Sequence, residues 1–108
     1  MSNDYPDNWD EIATRIKDKA DWCCERCGHL HAPDEGFTLT VHHLDGNEAN
    51  NEDWNLAALC QRCHLHLQRV SLEILFYQLE LVGVYEQRWL MPHKKGFMEW
   101  FLAHNLGK

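Results

Sequence analysis

Two cysteine pairs govern what this chain can fold into. Cys24-Glu25-Arg26-Cys27 and Cys60-Gln61-Arg62-Cys63 each hold two residues between their thiols, and 32 residues separate the pairs. Two intervening residues let one tight turn aim both sulfurs at a single point, and two such knuckles complete a tetrahedral set of thiolates. That set suits Zn²⁺ and leaves no open coordination position, so its work is structural. Buried apolar cysteines, or one redox pair, are the competing reading; two matched knuckles favour metal. The fifth cysteine, Cys23, also permits a pairing with Cys27. Cys24 instead repeats the spacing of the second knuckle, and Gly28 follows Cys27 where a knuckle needs a permissive backbone. Cys23 is therefore assigned to packing or to a free thiol.

Such a staple matters in a chain of 108 residues. A core this small is modest, and a structural zinc contributes about 10 kcal/mol or more of folding free energy. The 44% hydrophobic content excludes a disordered chain. No apolar run approaches the ~20 residues of a membrane span. The start, MSNDYPDNWDE, is acidic where a signal peptide would be basic. A soluble, cytoplasmic protein is expected, without contact to membranes. The net charge is −7, with 4 Lys/Arg against 13 Asp/Glu in residues 1–61 and 6 against 4 in residues 62–108. That balance argues against tight binding to bare nucleic acid by charge alone. It leaves room for an enzyme that brings a divalent cation to the phosphate.

Periodicity orders the chain. Asp7 or Asn8 is placed to cap a helix over about 9–22, where Trp9, Ile12, Ala13, Ile16 and Ala20 recur at helical spacing. The turn-rich stretch Gly28–Gly36 leads to a strand at Phe37–His43, rich in β-branched and aromatic residues. Asp45-Gly46-Asn47 is a turn, followed by a polar loop at Glu48–Asp53. A second helix is expected from about Arg62 to Val82, with an apolar stripe of Leu65, Leu72, Leu75, Phe76 and Leu79, ending at Gly83. The tail reads as an extended piece broken at Pro92, then a short amphipathic helix carrying Phe97, Trp100 and Phe101. Too few strands are present for an alternating parallel sheet, and a small metal-stapled α+β core with helical flanks fits better.

Three further features accompany the knuckles: the doublet His42-His43 at the strand end, Asn55 in Trp54-Asn55-Leu56, and His64 directly after the last cysteine. Together with CERCG, the run TVHHLDGNEANNEDWNLAALCQRCH resembles the HNH endonucleases from about Cys24 to Gln68. The resemblance implies a ββα-metal core, a strand pair followed by a metal-holding helix, in the subgroup whose four cysteines bind a separate structural zinc. It also implies a role for each matching residue. His43 would be the general base. His42 and His64 would be ligands of a catalytic divalent metal such as Mg²⁺. Asn55 would brace the loop that keeps the base in line, and Cys24, Cys27, Cys60 and Cys63 would hold Zn²⁺.

The chemistry agrees with those roles. Neighbours in a strand point to opposite faces, so His42 and His43 serve different ends of one reaction. A neutral imidazole accepts a proton from water at neutral pH. A metal held by two protein nitrogens keeps positions open for phosphate oxygens. The departures from the family are two. The proline that often follows the base by three residues is replaced in His43-Leu44-Asp45-Gly46, and the extra ligand histidine of colicin-type members is Gln68. The competing readings are that His64 joins three cysteines at the zinc, or that the doublet is plain strand surface.

The chain is thus expected to be one HNH domain over 1–108, with the core motif at about 24–68 and a helical extension at about 69–108. Its activity would be metal-dependent hydrolysis or nicking of DNA; the compactness of such a domain suits a phage gene. Arg62 and Arg69, seven apart on one helix face, are candidate phosphate contacts. Asp45 is read chiefly as a turn residue, His29, His31 and His66 as surface, and His93 and His104 as carrying no signal. Trp89, Phe97, Trp100 and Phe101 are expected to enlarge the core, with a protein-binding patch as the sharper alternative. The rival to a nuclease is a zinc-stapled DNA- or protein-binding module, weakly active or inactive, recruited to a DNA-processing complex. A thiol-based redox or zinc sensor built on Cys23 is a more distant rival.

Overall fold

The computed structural model of the protein describes residues 5–67 and 85–105. Helix α1 (Trp9–Lys19) follows Asn8, whose carbonyl accepts the amides of Glu11 and Ile12, while its side chain makes no capping bond. Acidic residues in the first turn and lysines in the last suit the helix dipole. Ile16 is buried, with Trp9, Ile12 and Ala20 packed beside it. The helix ends short of residue 22 because the chain closes in a Schellman turn. Asp21 adopts φ 55°, its amide bonds Asp18 O at 3.0 Å, and that of Trp22 bonds Lys17 O at 2.9 Å. The last carbonyls are thereby satisfied and the chain leaves the helix.

The first knuckle comes next. Cys27 donates its amide to Cys24 Sγ at 3.4 Å, Gly28 donates to Cys24 O at 2.8 Å, and Gly28 turns away at φ +81°, a region open to glycine because it lacks Cβ. Strands β1 (Leu39–His43) and β2 (Leu56–Cys60) pair antiparallel, from Leu39 opposite Cys60 to His43 opposite Leu56. β1 begins two residues later than the composition indicates, since Phe37 pairs with Ala32 in an isolated bridge. Every residue of β2 is buried. Its outer edge is closed by the knuckle: Glu25 donates its amide to Ala58 O at 2.8 Å and accepts the Ala58 amide on Oε2 at 2.6 Å. Unpaired edge groups are thus covered.

Helix α2 (Gln61–Leu67) starts directly from β2, one residue before the expected Arg62. The remainder of that expected helix, with Leu72, Leu75, Phe76, Leu79, Val82 and Gly83, lies outside the described residues, as do Gln68 and Arg69. The tail corrects the sequence reading. A 3-10 turn (Tyr85–Leu90) runs into α3 (Met91–Asn105), and Pro92 does not break it. As the second residue of α3, its missing N–H forfeits no helical bond.

α3 packs on the turn Asp53–Asn55. Trp54 meets Phe97 and Trp100 at 5.0 and 5.8 Å between ring centroids. Gly96 permits the approach, since a Cβ there would lie 2.9 Å from that of Trp54. His93 corrects a second expectation. It is buried, with Nδ1 against Trp54 O at 2.8 Å and Nε2 against Glu25 Oε1 at 2.6 Å. The tail aromatics divide: Trp89 and Phe97 pack on the core, whereas Phe101 is exposed. The architecture is α+β, a two-stranded sheet with α2 and the knuckles at its end and helices on either side of it in the sequence. No helix among the described residues is long and apolar enough to cross a membrane.

Candidate functional site

The strand pair brings the two knuckles together. Because Cys60 ends β2 opposite Leu39 and the first knuckle is tied to Ala58, the sulfurs of Cys24, Cys27, Cys60 and Cys63 lie within 4.8 Å of one another. Cys27 and Cys60 stand 3.8 Å apart, the edge of a tetrahedron about 3.8 Å long that metal–sulfur bonds of about 2.3 Å would make. The donor set fits a closed Zn²⁺ site. Arg26 donates from Nη1 to Cys63 Sγ at 3.4 Å and sets a positive charge beside the thiolates. Burial resists ionisation of Cys24, but backbone groups of Cys27, Cys60 and Arg26 outweigh it and draw the thiol down to about 7. Burial, with Cys24 and Cys60 close by, pushes Cys63 up to about 12. One thiolate discourages the next, a conflict that a bound cation relieves by holding all four ionised. Cys23 stands outside this cluster, half-buried, with Sγ 3.5 Å from Asp21 O.

At the other end of β1 the histidines separate as strand alternation requires. His42 is buried, and its ring lies 4.7 Å from that of His64 in the first turn of α2. Two imidazoles at that spacing, from strand and helix, can hold one cation. Burial, then the neighbouring His64 and His43, lower His42 to about 4 against a partial opposing pull from Asp45. Burial and His43 lower His64 in the same direction. Both rings are neutral at pH 7, the form that ligates metal. His64 Nδ1 lies 2.8 Å from Thr40 Oγ1.

His43 faces elsewhere. Its ring stacks on Trp9 at 5.1 Å with Tyr5 at 5.8 Å, and its Nε2 lies 3.1 Å from Asn51 Oδ1. Asn51 turns its Nδ2 toward Ala49 O, so its oxygen faces His43. An amide oxygen only accepts, so Nε2 is the donor in this contact, and the neutral tautomer that satisfies it has its lone pair on Nδ1. Asn55 is fully buried and uses every hydrogen-bonding group. Its Nδ2 donates to Asp45 Oδ1 and Asn50 O, its Oδ1 accepts the Asp45 amide, and its carbonyl accepts the Leu44 amide. The loop after His43 is thereby stitched to the start of β2. Asp45 is consumed in this network, its oxygens taking Asn47 N, Asn55 Nδ2 and Asn50 Nδ2.

Arg62 lies apart from these histidines. Its guanidinium rests 4.3 Å from the Phe37 ring and donates to Gly36 O at 3.3 Å. His29 stacks on Phe37 at 3.5 Å, and His31 Nδ1 accepts the Leu39 amide at 2.8 Å, so neither is idle loop surface. His66 is exposed. A cavity of about 340 Å³ lined by Ile16, Lys19, Glu25, Trp54, Leu56 and His93 among others includes none of His42, His43 and His64. Sequence spacing misses Thr40, Asn51, Trp9 and His93, whose partners are distant in the chain or lack a motif.

In sequence, part of the chain is similar to proteins named as HNH nucleases. The H-N-H endonuclease F-TflIV of Escherichia phage T5 is 49% identical over 41 residues, 38% of this chain and 18% of its own length. YajD of Escherichia coli strain K12, assigned by name to the HNH nucleases, is 33% identical over 69 residues, 56% of this chain and 58% of its own. These likenesses and the four-cysteine cluster support a relationship to HNH nucleases with a zinc knuckle. The Zorya protein ZorE of Escherichia coli strain ATCC 8739 is 37% identical over 60 residues, 56% of this chain and 16% of ZorE. The matched stretches thus span under two thirds of each of these relatives. No family model matches the chain, and no solved structure matches it significantly.

Proposed function

We propose that this HNH chain hydrolyses DNA phosphodiester bonds in a metal-dependent reaction, nicking one strand per event. The observation that carries the reading is the split geometry at the end of β1. His42 and His64 converge at 4.7 Å, while His43, one residue on, is held separately by Trp9 and Asn51.

In this reading His42 and His64 would hold a divalent cation such as Mg²⁺, which would neutralise charge on the phosphate and the departing 3′ oxygen. His43 takes a proton from water on its Nδ1 as the oxygen attacks phosphorus, the bond to the 3′ oxygen breaks, and that oxygen takes a proton from solvent to leave as a hydroxyl. The stack on Trp9 and the bond to Asn51 keep the imidazole from rotating, and Asn55 fixes the loop on which Asn51 rides. Four cysteines hold Zn²⁺ away from the chemistry, keeping β1, β2 and α2 in register. Arg62, exposed on α2, is proposed to contact substrate phosphates, with Arg69, outside the described residues, as a second candidate. The chain is read as a single HNH domain. The charge of −7 favours recruitment by a partner over strong intrinsic affinity for DNA.

The test is supercoiled plasmid incubated with zinc-loaded protein and Mg²⁺ or Mn²⁺, with and without excess chelator, followed by DNA ligase. Metal-dependent open circles that ligase reseals support hydrolysis leaving a 3′ hydroxyl. Folded protein that shifts the plasmid in gels but leaves it intact moves the assignment to the recruited binding module.

A further inference from the structure

Thr40 sits on β1 two residues before His42 and faces Leu59 of β2 in the sheet register. Its Oγ1 has two partners, Leu59 O at 2.7 Å and His64 Nδ1 at 2.8 Å. The donor arithmetic admits one arrangement. A carbonyl oxygen only accepts, so the single hydroxyl proton of Thr40 goes to Leu59 O. The contact with His64 must then take its proton from the imidazole. His64 carries hydrogen on Nδ1, and the lone pair is on Nε2.

We infer that Thr40 is a positioning residue that selects the Nδ1–H tautomer of His64 and so presents Nε2 to a divalent cation. The inference rests on the proposed reading of His64 as a ligand. It assigns a task to a residue outside the histidine, asparagine and cysteine motif. The relay runs from Leu59 O through the Thr40 hydroxyl to His64, tying the aim of a helix-borne ring to the strand pair. A ligating histidine whose other nitrogen is anchored this way holds its tautomer and orientation, and loss of the anchor typically lowers metal affinity about 10–100-fold. Serine keeps the hydroxyl. Valine keeps the β-branched shape and removes it.

The experiment uses full-length, zinc-loaded protein and two readouts besides activity. Long-range proton–nitrogen correlation of the imidazoles in the absence of added divalent metal reads the tautomer, and Mn²⁺ titration followed by electron paramagnetic resonance reads the affinity. Wild type is expected to show His64 protonated on Nδ1. Thr40→Val should populate the Nε2–H tautomer and bind Mn²⁺ about tenfold or more weakly, with zinc content and circular dichroism unchanged. Thr40→Ser should stay within about twofold of wild type. A wild-type His64 protonated on Nε2 overturns the inference even if Thr40→Val fails to fold. So does a Thr40→Val protein with unchanged tautomer and affinity. Wild type with the expected tautomer and Mn²⁺ binding but no cleavage removes the nuclease reading and leaves this inference intact. Cleavage unaffected by Thr40→Val does the reverse.

Discussion

Asn55 joins three segments through one side chain. With its amide bonded to Asp45 and Asn50 and no solvent exposure, truncation leaves buried donors and acceptors without partners, each costing about 1–3 kcal/mol. Asn55→Ala is predicted to lower unfolding free energy by about 2–4 kcal/mol on that basis, read from denaturant midpoints at constant zinc content. Nicking activity should fall by more than the loss of folded protein explains, because the loop bearing Asn51 is freed. The histidines predict a pH dependence. His42 is held near 4 against an ordinary value of about 6.5. Between those values the unfolded chain binds a proton that the folded chain refuses. Stability is therefore full above about pH 6.5, falls as pH drops toward about 4, and levels off below, where both states are protonated. His64, also lowered, adds to the same slope. Unfolding midpoints from pH 7 to 4 should fall less steeply in His42→Asn than in wild type; parallel curves would sink this account.

At the level of elements, α3 depends on two contacts that no local pattern announces. Gly96 lets the helix sit on Trp54, and its replacement pits a helix-propensity gain of about 1 kcal/mol against overpacking of about 1–3 kcal/mol. The 2.9 Å contact that a Cβ would meet decides for overpacking, so Gly96→Ala is expected to lower the thermal midpoint. His93 couples α3 to the first knuckle through Glu25, 68 residues away. Leaving the partners of a lost hydrogen bond unsatisfied costs about 1–3 kcal/mol, which His93→Ala should show in chemical unfolding.

These elements also mark where sequence reading stops. Knuckle spacing singles out four sulfurs because two intervening residues impose one turn, and the helical stripe of α1 is visible because Ile12 and Ile16 face one side. β2 is not visible. Leu56–Cys60 is buried along its whole length, so it shows no alternation, and its Leu and Ala residues favour helix as readily as strand; only the family resemblance implied a strand pair. The Schellman turn at Asp21 and Trp22 uses left-handed residues other than glycine, which carry no turn signal. His42, His43, Asn55 and His64 stand out through motif order. Thr40, Asn51 and Trp9 become visible only once strand pairing and helix packing bring them to the histidines.

For the whole molecule, the four-cysteine cluster and the net charge set the behaviour. A structural zinc is worth about 10 kcal/mol or more, comparable to the about 5–15 kcal/mol of net stability in a domain. Stripping it with a strong chelator is predicted to unfold the protein, seen as loss of helical circular dichroism that returns with Zn²⁺. A cooperative fold that survives complete removal of zinc would contradict the stapling role. In the proposed reaction one chain separates a metal that holds the fold from histidines that perform hydrolysis. The most direct test of that separation is nicking of supercoiled plasmid by wild type and His43→Ala at equal, measured zinc content with Mg²⁺ or Mn²⁺ present. Wild type is expected to give open circles, His43→Ala to lose nicking by at least about 100-fold as for removal of a general base, and both proteins to carry the same zinc. Equal nicking by the two proteins would contradict that separation.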